Sequence, residues 1–433
     1  MIQHLWPFLA LLLVLFALMG APLFAVICGG ALLGFYLEGT DLSVITIEFY
    51  RLSEMQVLLA IPLFTFAGYL LGESGAPRRL VRVTNAVLGW MPGGLAIVAL
   101  AVCAFFTSMT GATGVTIVAM GALLYPALQH AGYPDRFNLG LITTSGSLGL
   151  LFAPSLPLIL YGVLAQQLGV GPPIALEDLF IAGILPGLLM MVLLGGYSMW
   201  TARRLDRTLQ PFAWKEVGAA LWEAKWEAPL PLVVLGGIYG GILAPSEAAA
   251  ATAFYVFVIE VLVLREIPLR KLPAVMREAM VLVGAILMIV GVSMASSNYM
   301  IDTEVPSRIF DLIKAHVDNK WGFLILLNCF LLVMGSALEL YPALVLGVPL
   351  ILPIAYNYGI NPIHLGIVFL TNMQIGFFLP PIGMSLVIAS YRFNKPVLEI
   401  CRSALPFFLI LMFALLIITY VPELSLVLLH GNR

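Results

Sequence analysis

Charge is what this chain has least of. Only 10% of its 433 residues are Asp, Glu, Lys or Arg, against about 25% in an ordinary soluble domain. No stretch is polar enough to fold as a separate water-soluble unit. The most polar one, 202–227, still carries Trp214, Leu221 and Trp222. The net charge of −2 offers no basic surface for nucleic acid. Cysteines are few. Cys28, Cys103, Cys329 and Cys401 each stand alone in an apolar run, with no CxxC or zinc spacing, and read as buried thiols. The five histidines and the sparse acids form no paired or metal-ligand pattern inside the apolar runs, so covalent and hydrolytic chemistry is not expected and the chain is read as no enzyme. A basic leader is missing too. His4 is the only titratable side chain before the first apolar run, so 5–19 reads as a retained helix rather than a secretory signal.

What is abundant is apolar sequence. Hydrophobic residues make up 61% of the chain, in runs that follow one another from 5–19 to 403–422. This predicts an all-α polytopic protein whose solvent is the lipid bilayer. Basic residues in short loops mark the cytoplasmic side. Arg78, Arg79 and Arg82 share one loop. Arg203, Arg204, Arg207, Lys215 and Lys225 lie in the central connection. Arg265, Arg270, Lys271 and Arg277 share a third segment, and Arg392, Lys395 and Arg402 a fourth. The alternate loops 38–55, 171–178 and 301–320 are mostly acidic. One orientation places every loop.

The two halves repeat. A shift of 227 positions lays Pro126 on Pro353, Gly132 on Gly359, Gly149 on Gly376 and Pro154 on Pro381 without a gap. The charges of related loops have opposite sign: 38–55 is acidic and 265–278 basic, 73–91 basic and 301–320 acidic. Repeat-mates on opposite sides of a membrane mean inverted topology.

The run 94–128 would make ~52 Å of continuous helix, too long for one span and marginal for two. Its middle, Thr107-Ser108-Met109-Thr110-Gly111-Ala112-Thr113-Gly114, suits the polar tip of a re-entrant helical hairpin. Its mate 322–357 has Gly335-Ser336-Ala337-Leu338-Glu339-Leu340-Tyr341-Pro342 there. Each hairpin precedes a helix expected to break, at Thr143–Gly149 and at Thr371–Gly376. Non-helical backbone at such depth is tolerated only inside protein or beside a watery cavity. Freed carbonyls, hydroxyls and amides suit a hard cation such as Na⁺, and half-helix N-termini suit an anion. Symmetry places one ion per repeat, with the anion between the tips. Any single hydroxyl has a plainer reading, since Gly, Ser and Thr also permit close helix packing.

Three acids need separate treatment. Glu339, whose repeat-mate is Ala112, is an intramembrane carboxylate, costly and usually functional. Glu247 follows Pro245 and reads as a helix cap. Asp135, with Arg136, follows Pro134 and reads as a turn anchor. The segments 77–91 and 306–321 read as amphipathic arms lying on the membrane.

Nearly the whole chain resembles the large membrane subunit (DctM-like) of tripartite ATP-independent periplasmic (TRAP) transporters. The resemblance rests on IPLFTFAGYLL at 61–71, GWMPGGLAIVALAVCAFF at 89–106, MGALLYPAL at 120–128, AGY at 131–133 and SGSLGLLFAPSLPLILYG at 145–162. It continues in PSEAAAATAFY at 245–255, MGSALELYPALVLGVPLILPIA at 334–355 and IGFFLPPIGMSLVIAS at 375–390. It implies uptake of a small organic anion, often a carboxylate, with Na⁺ as coupling ion. It further implies a periplasmic substrate-binding protein, a separate small four-helix membrane subunit, an elevator-type mechanism and a place in the bacterial cytoplasmic (inner) membrane. The family usually has Asp followed shortly by Thr at the second tip, where this chain has Glu339 and Tyr341. It often has Ser in place of Ala112, and Pro-Pro in place of Ala153-Pro154.

Together these readings assign one Na⁺ site to Ser108, Thr110, Gly111, Thr113, Ser145 and Gly149, and a second to Gly335, Ser336, Glu339, Thr371, Asn372 and Gly376. Substrate contacts fall to Thr110, Gly114, Ser147, Ser336, Tyr341, Pro380 and Pro381. The expected division is scaffold over 1–72 and 228–300, arms over 73–93 and 301–321, and transport segments over 94–170 and 322–390. A linking helix and connection take 171–227, and a last helix 391–433. Two rival expectations stand beside this one. A stand-alone divalent-anion/Na⁺ symporter would transport without a binding protein. A channel would pass its ion downhill without coupling.

Overall fold

The structure, a computed structural model, describes residues 11–13, 15–17, 19–203, 212–240, 242–379 and 383–430. Part of the helix expected over 5–19 lies outside them, as do Pro380 and Pro381. Every regular element among the described residues is helical.

In the first half α1 (Leu23–Glu38) and α2 (Ser43–Glu54) lead through a 3₁₀ turn at Gln56–Leu59 into α3 (Ala60–Glu73). The short α4 (Ala76–Leu88) follows, then a hairpin of α5 (Gly94–Thr110) and α6 (Thr113–His130). A bent pair comes next: α7 (Asp135–Ser145) with a 3₁₀ turn at Leu148–Leu151, then α8 (Leu156–Leu168). The long α9 (Leu176–Ala202) closes the half. In the connection lies α10 (Trp214–Glu223). The second half holds α11 (Pro229–Tyr239), α12 (Pro245–Phe257) continued by a π turn at Val258–Val263, α13 (Leu272–Asp302) and α14 (Val305–Lys314). Its hairpin is α15 (Lys320–Ala337) and α16 (Leu340–Asn357). Then come α17 (Pro362–Gly376), α18 (Met384–Phe393), α19 (Val397–Tyr420) and α20 (Glu423–His430).

Among the described residues seven helices are long and apolar enough to cross a membrane. The pair Asp135–Leu151 and Leu156–Leu168, bent by 41°, adds an eighth. The hairpins match residue for residue: Thr110 and Ala337 end the first arms, Thr113 and Leu340 begin the second, and His130 and Asn357 end them, each pair 227 apart. One asymmetry has a simple cause. The first half breaks between α2 and α3, where Met55 is extended (φ −83°, ψ 94°) and Pro62 falls in the first turn of α3. The repeat-mate of Pro62 is Ile289, which keeps its N–H, and α13 runs through without interruption.

The breaks sit slightly later than expected. In the first half helix persists through Ser145 and the chain leaves it over 146–155. In the second, α17 holds to Gly376 although it contains Thr371, Asn372 and Gln374. Two of these side chains bond back one turn, Thr371 to the Ile367 carbonyl (2.7 Å) and Asn372 to the Val368 carbonyl (2.8 Å). Polar groups satisfied that way fit inside a helix.

Lipid is as apolar as leucine, so close contact rather than burial alone holds such helices together. The halves interlock: α7 packs on α19, α8 on α16 and α9 on α17. A Cβ at Gly183 would lie 2.1 Å from the Leu151 carbonyl oxygen, so α9 approaches the first break as only glycine permits. Glu247 accepts the Ala244 N–H (2.9 Å) as the expected cap. One expectation changes. Cys329 is exposed and Cys28 only partly buried, and lipid suits a thiol on an apolar face. On α4, Arg82 pairs with Glu216 (2.9 Å) and Glu223 of α10.

Candidate transport site at the hairpin tips

The first tip turns on Gly111, in the left-handed region at φ 64°. A Cβ there would also stand 2.5 Å from the Tyr341 hydroxyl, so both conformation and space demand glycine. The second tip turns through extended Leu338 (φ −118°, ψ 150°) into Glu339 and α16. The tips meet: Tyr341 Oη, on a ring only 6% exposed, donates to the Gly111 carbonyl at 3.2 Å.

Behind the first tip the break of α7 is tied to the hairpin. Thr107 donates to the freed Gly146 carbonyl (2.7 Å) and lies 2.8 Å from the Thr116 hydroxyl. Each hydroxyl has one proton, so Thr116 supplies the bond between them. Ser108, Thr110 and Ser145 donate to carbonyls of their own helices, those of Phe105 (2.7 Å), Phe106 (3.0 Å) and Ile142 (3.3 Å). Thr110 also accepts the Ala112 N–H (3.4 Å). At Gly149 a Cβ would lie 2.1 Å from the Ala104 carbonyl oxygen and 2.5 Å from the Ser108 nitrogen. The Thr113 carbonyl is 3.3 Å from the Cβ position of Gly146. The first set is thus gathered between tip and break.

The second set is gathered in part. Gly335 and Gly376 touch backbone to backbone, a Cβ on Gly376 falling 2.8 Å from Gly335. This reproduces the contact of Gly149 with Ser108, their repeat-mates. Asn372 turns instead to Asn328 on α15 (Nδ2 to Oδ1, 2.7 Å), and Asn328 donates to Thr419 on α19 (3.2 Å). The network ends at His364, against the Thr419 carbonyl (3.3 Å) and the Ser425 hydroxyl (3.2 Å). Ser336 donates to Val333 in its own helix (2.8 Å), and Glu339 is exposed at the tip. Asn372 Oδ1 and Gln374 Oε1 are buried with no donor. Thr107, Asn328 and Thr419 were not among the assigned ligands. For Asn328 the one signal is a lone amide in the apolar run LILLNCFLL.

Beside the tips a crevice of about 600 Å³ separates α3 and α13 from hairpin arm α6. Tyr69, Gly72, Gly114, Val118, Arg277 and Ile388 are among its walls. Of the substrate residues, Gly114 lines this crevice, Tyr341 bridges the tips and Thr110 adjoins Gly111. Ser147 lies deeper, against the Gln374 carbonyl (3.3 Å).

Paired hairpins, paired breaks and a crevice beside the tips belong to a membrane permease. Residues 8–424 match the family of the tripartite ATP-independent periplasmic transporter, DctM component, and the chain belongs to it. The C4-dicarboxylate TRAP transporter large permease protein DctM of Rhodobacter capsulatus is 32% identical over 96% of this chain and 97% of its own length. That of Pseudomonas aeruginosa is 34% identical over 89% and 88%. The isethionate TRAP transporter permease DctMQ of Oleidesulfovibrio alaskensis is 35% identical over 85% of this chain, which spans only 57% of that longer protein. The crystal structure of the Alcanivorax borkumensis YdaH transporter covers 98% of both chains with a TM-score of 0.63 at 15% identity, a likeness of fold.

Proposed function

We propose that this permease imports a small organic anion together with Na⁺, moving its two hairpins and broken helices as one body against a scaffold. The observation that carries this reading is the pair of orphaned amide oxygens, Asn372 Oδ1 and Gln374 Oε1, buried beside a hairpin. Buried acceptors without donors are costly, and a hard cation satisfies them. The Gly149 and Gly376 contacts support one such place per half. The re-entrant reading rests on the length and polar middle of the two hairpin runs, and the inverted topology on the loop charges.

The anion lies between the tips, near the Tyr69 phenol and near Arg277 in a crevice wall that Glu73 and Glu278 also line. Relatives named for isethionate and C4-dicarboxylates point to the same substrate class. The moving body is 94–170 with 322–390, and the scaffold is 1–72 with 228–300. A small four-helix membrane subunit and a periplasmic binding protein complete the system in the bacterial inner membrane.

The test is uptake into proteoliposomes carrying the chain with and without those partners, under Na⁺ or K⁺ gradients. Na⁺-driven uptake only with the partners is expected. Uptake by the chain alone would favour the stand-alone symporter, and Na⁺-independent downhill flux a channel.

A further inference from the structure

One guanidinium on arm helix α4 is shared by three glutamates. Arg79 Nε donates to Glu227 Oε1 at 2.8 Å, Nη1 and Nη2 hold Glu266, and Nη2 lies 3.5 Å from Glu260 Oε2. Glu227 precedes α11, Glu260 sits in the π turn after α12, and Glu266 precedes α13. A single positive charge cannot neutralise three carboxylates. Glu266 reaches solvent and takes the closest guanidinium contact, and Glu227 accepts from Nε and lies against Nη2. Glu260 has neither advantage. It is 1% exposed, and both its oxygens, like Glu227 Oε2, have no hydrogen-bond donor.

The neighbouring donors are engaged elsewhere. Ser74 faces Glu260 but gives its proton to the Leu71 carbonyl (2.9 Å). Tyr255 gives its own to the Trp226 carbonyl (2.8 Å), and the Gly75 N–H goes to Glu266 (2.5 Å). An ionised carboxylate so placed is far costlier than a neutral one. Glu260 also stands in the π turn Val258–Val263, an irregularity frequent at functional sites. The cluster has no counterpart in the other half: the repeat-mates of Arg79, Glu260 and Glu266 are Pro306, Leu33 and Gly39. The opposite arm holds without it, so the architecture alone does not require these charges.

We propose that Glu260 is a proton-binding site, protonated at neutral pH within the group of three glutamates that share Arg79, a cluster that latches arm α4 to the scaffold. Losing the proton adds a third negative charge around one guanidinium and loosens the latch. The consequence for transport rests on the moving-body reading above, but the bound proton does not.

The test is infrared spectroscopy of the full purified chain in neutral buffer. A protonated-carboxyl C=O band that shifts in D₂O is expected, absent in Glu260→Gln and present in Glu227→Gln. A folded state holding one extra proton also makes the unfolding constant rise tenfold per pH unit above the carboxylate range. The melting temperature should therefore fall with rising pH more steeply in the wild type than in Glu260→Gln. If Glu260→Gln does not fold, Glu260→Asp keeps the carboxyl and should move the band; an unmoved band overturns the proposal. A band that survives Glu260→Gln overturns it as well. So does Na⁺-dependent stabilisation lost in that variant without any infrared change, which would make the cluster a metal-cation site.

Discussion

The Ser147 hydroxyl reaches the backbone carbonyl of Gln374, 3.3 Å away and 227 positions along the chain. The residue touches its own repeat-mate, so the axis relating the two halves passes beside this contact. Around it the breaks of both halves pack against the hairpins: Gly149 on Ala104 and Ser108, Gly376 on Gly335. What is paired in the sequence is therefore adjacent in space, at the centre of the molecule.

Those glycines should not tolerate a methyl group. At Gly149 it would meet a carbonyl oxygen at 2.1 Å and at Gly376 backbone carbon at 2.8 Å. Overpacking of this kind costs about 1–3 kcal/mol. Gly149→Ala and Gly376→Ala should both lower the melting temperature, Gly149→Ala more. Gly196→Ala, whose Cβ meets nothing within 4 Å, is the control and should change little.

Tyr341→Phe removes the hydroxyl that joins the tips and leaves the Gly111 carbonyl without it. The expected stability loss is about 0.5–1.5 kcal/mol, with the fold intact. If the phenol also contacts the substrate, KM in the reconstituted system should rise while expression stays normal. An unchanged KM would confine Tyr341 to tip closure.

Sodium should stabilise the purified chain more than equal potassium. At about 100 times its dissociation constant a bound ion adds about 2.7 kcal/mol. The difference should shrink in Asn372→Ala, which loses an orphaned buried oxygen, and persist in Glu247→Gln, a cap far from the hairpins. Equal melting in the two salts would count against a preformed Na⁺ site.

Glu266 supplies a pH dependence of opposite sign to that of Glu260. Burial pushes its carboxyl up, but the Arg79 guanidinium and the Gly75 N–H outweigh burial and hold it below the usual carboxylate range. A group depressed in the folded state contributes stability above its unfolded pKa, about 4.3. That contribution disappears as pH falls through the lower, folded value. Acid melting of the wild type should show this loss, and Glu266→Gln should remove it at the cost of lower stability near neutrality.

The hairpins were legible because Gly111 and its polar neighbours interrupt an apolar run, and the same interruption recurs 227 residues later. The break within Thr371–Gly376 was misplaced because side-chain polarity resembles unwinding until the back-bonds of Thr371 and Asn372 are seen. Asn328 and Thr419 escaped notice because each is one polar residue in a long apolar helix, and only its partner on another helix marks it.

By itself the sequence determined the all-helical membrane class, the two-fold repeat, the family and the hairpin positions. Composition, period and punctuation are local properties, readable along the chain. Tertiary structure alone decided that α7 packs on α19 and α8 on α16, that Asn372 meets Asn328, and that Arg79 gathers glutamates 148 and 187 positions away. Such contacts depend on how helices from the two halves interlock, and no spacing along the chain encodes which buried polar group will find a partner.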